Sequence, residues 1–406
     1  MKNMLKKLNS LLSAYGPAIF MIGAVIGTGS VSSLVVAGSK HGMSLLWALL
    51  LSCIFFWILL AAVSRLTFAT GKTFVSLTKD KFGKIAAFYI VLAVTVSQFT
   101  SNIGVLGIVA ESFSSWTGVN FTLSAIFWCT LVYLLIFLGK YTAFERVLVI
   151  FVTILGLSFI IDSFFVHPTP GQVLKGLLPS VPENGALIVA AMVGTTLAGS
   201  VVVMRSFVIT DKGWTIADLK HAEKDSLISG LLIFFISAVV MAVSAATLYV
   251  RGIQVEKAIH MAETLVPIAG NFAAIIFVVG IIAAGMSSAF PNALVSIWTI
   301  SDFFGLSRDP KALHFRLMAL LFCGAGLIAP IFGGKPVFLQ IISLAIQALF
   351  LPLLVLILLV LSNKESVVGE YKSQGFVTGM MILTFLFSLF MAYQAFSGFV
   401  GLLQEF

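Results

Sequence analysis

The sequence predicts an all-α protein that crosses a membrane about eleven times, and three observations support this fold class. Of the 406 residues, 60% are hydrophobic and only 10% are charged, whereas a soluble domain has about 25% charged residues. The apolar residues fall in runs that can span a bilayer, which takes about 20 residues. Two of these runs are interrupted by small polar residues at corresponding places in the two halves of the chain. This composition excludes a soluble enzyme, a disordered chain and a nucleic-acid-binding module.

Eleven apolar stretches follow one another with short loops between them. They cover residues 15–38, 44–69, 85–110, 121–138, 147–166, 185–209, 227–250, 271–299, 316–332, 337–361 and 375–404. The basic and then apolar N-terminus resembles a signal peptide, but no small-residue cleavage site follows it, so it is interpreted as the first span. We therefore predict one integral membrane domain over residues 1–406. It is expected to contain a repeat of five helices over about 15–166, a second over about 185–361 and an extra helix over about 375–404.

Basic residues are distributed unequally between the two sides of the membrane. If the loops alternate, 19 of the 24 Lys and Arg residues fall on the side of the N-terminus and 5 on the other side. Because cytoplasmic loops carry an excess of Lys and Arg, we predict a cytoplasmic N-terminus and a C-terminus outside. The basic segment 71–84 is interpreted as a loop beside anionic lipid headgroups, and segment 211–225 as a solvated linker between helices.

The membrane interior lacks the ionisable groups that mark proton relays and ion sites. Asp162, near the outer end of its span, comes closest to an exception, and none of the five histidines lies mid-membrane. The absence of an HExxH motif, of paired membrane aspartates and of a Ser–His pair at depth argues against a membrane enzyme. The sequence contains no TVGYG-like filter motif, which argues against an ion channel. Cys53, Cys129 and Cys323 lie within apolar runs and are interpreted as packing residues.

Two spans carry sequences that favour a broken helix, because glycine and threonine between apolar residues are poor helix formers. One block lies in the first span and one in the sixth, the first helix of each predicted repeat. Such a pair indicates the binding site of a secondary transporter, where unwound carbonyls suit a cation and the N–H groups of the following half-helix suit an anion. Close helix packing through small residues is the alternative for either block alone. The residues predicted to bind substrate are Gly27, Thr28, Gly29, Ser30, Thr195, Thr196, Ala198, Gly199 and Ser200.

Three further spans have polar residues at helical spacing. A single polar residue in a membrane helix usually forms a hydrogen bond between helices. Three polar stripes together with two broken helices fit a hydrated central pathway better. The residues predicted to line this pathway are Gln98, Ser101, Asn102, Ser287, Ser288, Asn292, Gln340, Ser343 and Gln347.

With these residues in view, the chain resembles the Nramp family of metal-ion transporters. The likeness is clearest over residues 16–71, where GPAIF, GTGS, AGSKHGMSLLWALL and SRLTFATG follow the family's order and spacing. A weaker likeness continues through VGTTLAGS, AAGMSS and QIISLAIQALFLPLL. The resemblance implies the inverted-repeat fold of the leucine-transporter type, with five helices in each repeat and one helix more.

The chain departs from the family's pattern at the binding residues. Typical members carry Asp-Pro-Gly-Asn at the first break, where this chain has residues 27–30, and Met-Pro-His where it has residues 198–200. The acidic third-helix positions fall near Gln98, Ser101 and Asn102. The resemblance therefore implies a site without the soft thioether, the carboxylate and the proton-relay acids, so no metal-ligand set is assigned. This argues against the usual Mn²⁺ or Fe²⁺ site and favours a hard divalent cation such as Mg²⁺, which keeps several waters, as in divergent Nramp-related Mg²⁺ transporters.

A second, local resemblance keeps another substrate class open. The run from Ile26 to Gly29 is similar to the first-helix break of amino acid–polyamine–organocation permeases, where free amides hold a substrate carboxylate. The hypotheses are thus a metal-cation transporter, a transporter of a small carboxylate or amino-acid-like solute, and a non-transporting scaffold. We expect no enzymatic activity, no cofactor, no nucleic acid and no obligatory protein partner. The expected partners are the small substrate and membrane lipid, and the expected location is the inner membrane of a bacterial cell.

Overall fold

The computed structural model describes residues 27–138, 141–332, 334–373 and 375–404, with only the backbone described over 141–147. Within these ranges all regular structure is helical and no strand occurs, so the predicted all-α class is confirmed. In chain order the long helices are α1 (Thr28–His41), α2 (Leu46–Thr70), α3 (Phe74–Thr117), α4 (Phe121–Leu138), α5 (Tyr141–Asp162), α6 (Ala186–Thr196), α7 (Gly199–Asp211), α8 (Leu219–Ser244), α9 (Ala273–Phe304), α10 (Leu313–Gly324), α11 (Pro336–Asn363) and α12 (Gly375–Gln404).

These helices coincide with the predicted spans. In the described part of the chain, 9 helical stretches are long and apolar enough to cross a membrane. The sixth predicted span is divided between α6 and α7, and the first is described only from Gly27 onwards. Helices are the expected result because a chain in hydrocarbon must satisfy every backbone N–H and C=O internally.

The predicted break in the sixth span is confirmed. Helix α6 ends at Thr196, the backbone then leaves the helical region at Ala198 (φ −58°, ψ 121°), and α7 begins at Gly199. In the first span Gly27 is extended (φ −108°, ψ −168°) immediately before α1 starts. The part of the predicted first break that precedes Gly27 lies outside the described residues. Both spans therefore present the start of a helix inside the bundle.

The segment interpreted as a basic loop, 71–84, is largely helical, so that prediction is wrong. Thr73 caps α3 by accepting a hydrogen bond from the backbone N–H of Ser76, and Phe74 and Val75 are fully buried. The helix bends at Gly83, whose backbone (φ 83°, ψ 179°) lies outside the helical region. The segment is too polar to span a membrane, but its apolar face packs at one end of the bundle.

The linker predicted over 211–225 is also partly helical, because α8 begins at Leu219. Near its start lies a buried ion pair that joins α8 to α7. The Arg205 guanidinium donates to Asp225 Oδ2 at 2.8 Å, and the side chains are 0% and 1% exposed. Arg205, one of the basic residues counted on the side of the N-terminus, lies within the predicted sixth span and inside α7. Its other donors reach Ser64 Oγ at 3.0 Å and the Ala222 carbonyl at 3.1 Å.

Helix packing places the start of α1 and the gap between α6 and α7 at the centre of the bundle. Helix α9 packs along α3, and α11 packs against α3, α6 and α12, while α8 packs on α2 and α1. The start of α1 and the gap between α6 and α7 are therefore surrounded by α3, α9 and α11. The residue limits of the two repeats and the sidedness of the termini stay predictions.

Candidate functional site

A cavity of about 40 Å³ lies where α1 begins and where the chain passes from α6 to α7. A cavity needs about 10–15 Å³ to hold one water molecule, so there is room for a small ion with a few waters or for a small organic group. None of the described residues around it is formally charged. The lining residues are Gly27, Gly29, Ser30, Gln98, Ser101, Val105, Thr195, Ala198, Ser200, Val201, Met204, Ser288, Pro291, Asn292, Val295, Leu344 and Gln347.

A hydrogen bond between Ser30 and Thr195 joins α1 to α6. Their hydroxyl oxygens are 3.0 Å apart, and both residues are buried and line the cavity. Helix α1 has no side-chain cap at Gly27, and the first N–H groups of any helix lack an intrahelical acceptor. The cavity therefore meets hydroxyl oxygens, which suit a cation, beside the positive end of a helix dipole, which suits an anion.

Helices α3, α7 and α9 are linked around the cavity by side-chain amides. Gln98 donates to Ser200 Oγ at 2.9 Å. Asn292 donates to Asn102 Oδ1 at 3.1 Å and to Ser101 Oγ at 3.3 Å. These amide and hydroxyl groups are neutral. Their oxygens carry partial negative charge, so the cavity is polar although none of the described residues that line it carries a carboxylate.

The structure brings most of the predicted site residues to this cavity but directs others elsewhere. The predicted residues that do not line it are Thr28, Thr196, Gly199, Asn102, Ser287, Gln340 and Ser343. Thr28 donates to the Ile281 carbonyl at 3.2 Å, and Thr196 donates to the Met192 carbonyl of its own helix at 3.2 Å. The Thr28 hydroxyl thus links α1 to α9 and the Thr196 hydroxyl is satisfied within α6, whereas the adjacent residues Gly29 and Thr195 line the cavity.

The remaining polar residues stand behind the cavity wall. Ser287 and Ser343 donate to carbonyls one turn back in their own helices, and Asn102 donates to the Phe322 carbonyl at 3.1 Å. Gly199 packs against Leu354, whose Cδ1 would lie 2.8 Å from an added Cβ. Gln340 is fully buried next to Gly29, and neither of its amide atoms has a hydrogen-bond partner among the described residues.

Met204 lines the cavity and was missed by the sequence prediction. It lies four residues after Ser200 in α7, so both side chains share one face of that helix. The sequence comparison assigned the family's methionine to Ala198 and concluded that a thioether is missing. Ala198 does occupy that position, and the structure adds a methionine from elsewhere in α7, since Met204 lines the cavity and is 2% exposed. The i, i+4 spacing from Ser200 was the signal that could have found it.

Replacing Gly27 with alanine is expected to abolish transport by filling the cavity. An added Cβ would lie 1.7 Å from Ser288 Oγ and 2.9 Å from Ser288 Cβ, so the two side chains cannot coexist without movement. Uptake in proteoliposomes measures the loss. The double variant Gly27→Ala/Ser288→Gly removes the clash and is expected to regain activity. If Gly27→Ala transports normally, the start of α1 is not part of the pathway.

The start of α1 inside the bundle, the break between α6 and α7 and the cavity between them are the features of a secondary transporter of the inverted-repeat class. Comparison with known proteins places the chain within this class. Residues 18–397 match the family model described as Natural resistance-associated macrophage protein-like. The chain belongs to the Nramp family, whose members are transporters of metal ions and not enzymes.

Relatives and solved structures agree with this assignment. The chain is 24% identical to the Natural resistance-associated macrophage protein 2 homolog of Dictyostelium discoideum over 95% of its own length, and it spans 62% of that protein. It is 24% identical to the Divalent metal cation transporter MntH of Vibrio campbellii, covering 93% of this chain and 90% of that one.

Two solved structures share the fold. The first is a mutant of the Eremococcus coleocola manganese transporter, which superposes with a TM-score of 0.76 at 17% identity over 97% of this chain and 89% of that one. The second is Mhp1, a nucleobase-cation-symport-1 family transporter, with a TM-score of 0.60 at 16% identity over 97% and 93%. At these identities the likeness concerns the fold alone.

Proposed function

We propose that this protein moves a hard divalent cation such as Mg²⁺ across the membrane by alternating access between its two repeats. The observation that carries the proposal is the neutral, oxygen-rich lining of the cavity at the start of α1 and the gap between α6 and α7. Mg²⁺ takes oxygen ligands and usually keeps several of its waters, so it needs no dedicated cage of carboxylates. The hydroxyls of Ser30, Thr195 and Ser200 offer such oxygens. Several relatives carry the name divalent metal cation transporter.

Met204 bears on which divalent cation is preferred. A thioether is a soft ligand that favours transition metals, whereas carbonyl and hydroxyl oxygens suit Mg²⁺ and Ca²⁺. The polar groups that line the cavity are hydroxyls, side-chain amides and backbone groups. Among the described lining residues, Met204 supplies the one thioether. We therefore expect Met204→Leu to leave Mg²⁺ binding intact. A loss of binding confined to Mn²⁺ in that variant would show that the sulfur contacts the metal.

The alternative substrate is a small carboxylate or amino-acid-like solute. The start of α1 favours this class, since the N-cap Gly27 offers no side-chain oxygen that would compete with a ligand and a helix N-terminus attracts anions. No acidic residue among those described around the cavity would repel the carboxylate. Such a solute would place its carboxylate against Gly29 and Ser30.

Substitution of Ser200 with aspartate is expected to separate these two functions. Its hydroxyl faces the cavity, unlike that of Thr28, so a carboxylate there would attract a cation and repel an anionic solute. We expect Ser200→Asp to retain or strengthen the thermal shift with Mg²⁺ and to abolish any shift with a carboxylate. Ser200→Asn is the matched control, because it has nearly the same shape without the charge.

The readout is a thermal-shift screen of the detergent-purified protein with Mg²⁺, Mn²⁺, Ca²⁺ and a set of small carboxylates and amino acids at equal ionic strength. A ligand present at 100 times its Kd stabilises a protein by about 2.7 kcal/mol. A shift with Mg²⁺ that Gln98→Leu weakens supports the cation proposal. A shift with one carboxylate and with no metal overturns it in favour of the alternative.

We propose further that the N-terminus faces the cytoplasm of a bacterial cell and the C-terminus the outside. The support is the placement of 19 of the 24 Lys and Arg residues on one side. Labelling of a cysteine introduced at the exposed Lys335 from outside intact cells tests this orientation.

A further inference from the structure

A second cavity, of about 230 Å³, opens on the surface of the bundle between α2, α8 and the start of α12. It lies near the C-terminal end of α2 and the N-terminal ends of α8 and α12, which the charge distribution predicts to face the cytoplasm. It is separate from the central cavity and shares none of its lining residues. Its lining residues are Trp57, Ile58, Ala61, Arg65, Glu223, Lys224, Leu227, Phe376 and Val377.

The half of this groove towards the middle of the membrane is apolar. Trp57, Ile58 and Ala61 form its floor on α2. Leu227 of α8 and Phe376 at the start of α12 also line the groove and are 38% and 68% exposed. In a membrane protein such exposed apolar side chains contact acyl chains at no cost, because lipid tails are as apolar as leucine. The groove is thus a recess in the lipid-facing surface rather than an unfinished protein core.

The other half of the groove is basic. Arg65 donates from Nε to the Glu223 carboxylate, and this is its one hydrogen bond among the described residues. A guanidinium has five N–H donors, so its Nη groups are available to another acceptor. Lys224 lines the same end, and Lys220 lies one helical turn before it, exposed on the same face of α8. Two lysines and the Arg65–Glu223 pair leave this end with an excess of positive charge.

We propose that this groove binds one anionic phospholipid, with its phosphate between Arg65 and Lys224 and an acyl chain along Trp57, Ala61 and Phe376. Two properties of the groove favour this occupant: its positive charge, and the succession from a basic end to an apolar recess along the membrane normal. The cationic end faces the predicted headgroup level and the apolar recess continues into the hydrocarbon, which is the arrangement of a phospholipid. Basic pockets between membrane helices on the cytoplasmic side are known to bind anionic headgroups.

Native mass spectrometry of the full chain in detergent tests this site. Phosphatidylglycerol and phosphatidylcholine of equal chain length are titrated separately, and glycerol phosphate tests the headgroup chemistry without tails. We expect one tightly bound phosphatidylglycerol, weaker phosphatidylcholine and no retained glycerol phosphate. Each Lys or Arg near an anionic surface contributes a factor of about five in affinity, so Lys220→Gln/Lys224→Gln is expected to weaken phosphatidylglycerol binding by about 20- to 30-fold.

Two further variants separate the groove from general surface charge. Lys81→Gln/Lys84→Gln removes two exposed lysines from the same predicted side but outside the groove, and it is expected to keep the bound lipid. Ala61→Phe fills the apolar half without changing the charge and is expected to lose it, with the thermal midpoint checked for intact folding. The proposal would be overturned if both lipids bind equally, or if the two double lysine variants lose bound phosphatidylglycerol to the same extent. It would also be overturned if a second copy of the chain or the N-terminal residues 1–26 occupy the groove.

Discussion

Replacing Arg205 with glutamine is expected to destabilise the protein by about 3–5 kcal/mol, because it removes one partner of a buried ion pair with Asp225. The two side chains are almost completely buried, and the guanidinium also donates to Ser64 and to the Ala222 carbonyl. One substitution thus removes contacts that hold α7 against both α2 and α8. The thermal midpoint in detergent, followed by size-exclusion chromatography, measures the loss.

Two comparisons show whether the effect comes from burial of the charge. Arg251→Gln removes an exposed ion pair with Glu263, whose side chains are 53% and 43% exposed, and it is expected to cost less than about 1 kcal/mol. The double variant Arg205→Met/Asp225→Leu leaves no unpaired charge and is expected to be more stable than Arg205→Gln. If Arg205→Gln shifts the midpoint no more than Arg251→Gln does, the buried pair contributes little to the fold.

Replacing Gly194 with alanine is expected to cost at least about 3 kcal/mol, at the upper end of the range for overpacking, and to abolish transport. An added Cβ would lie 2.0 Å from the Leu344 carbonyl oxygen and 3.3 Å from the Ala348 nitrogen. These are backbone atoms, so the clash cannot be relieved by a side-chain rotation. Helices α6 and α11 would have to separate just where Thr195 and Leu344 line the central cavity. Proteoliposome uptake and the thermal midpoint measure the two effects.

Gly156→Ala is the matched control for a glycine within a membrane helix. No heavy atom lies within 4 Å of a Cβ added there. This substitution is expected to change the stability by less than about 1 kcal/mol, in the favourable direction, because alanine is the better helix former. Equal behaviour of the two variants would mean that α6 and α11 adapt to the added methyl group.

The sequence was sufficient to predict the bundle and the break in the sixth span. Long apolar runs leave the backbone no alternative to helix in hydrocarbon. The small residues from Gly194 to Ser200 weaken the helix where the structure has its gap. The stripe of Gln98 and Ser101 and that of Ser288 and Asn292 follow helical spacing, and the structure places these residues around one cavity.

Other features depend on helix rotation and on distant partners, which a single sequence does not contain. Thr28 and Gly29 are adjacent in the chain, yet only Gly29 lines the cavity, while Thr28 is directed to α9 and donates to the Ile281 carbonyl. Arg205 finds Asp225 20 residues later, across the turn between α7 and α8. The helical segment that begins at Phe74 is too polar for a span and was therefore assigned to a loop.

The hydrogen bond between Ser30 and Thr195 sets a constraint on biosynthesis. These residues are 165 positions apart, and a ribosome adds about 5–20 residues per second, so α1 waits about 8–33 s for α6. The wall formed by Leu344 and Gln347 is synthesised later still. A chain interrupted before Pro336 would contain α1, α6 and α7 without this wall, and we expect ligand binding to begin only after α11 has been inserted.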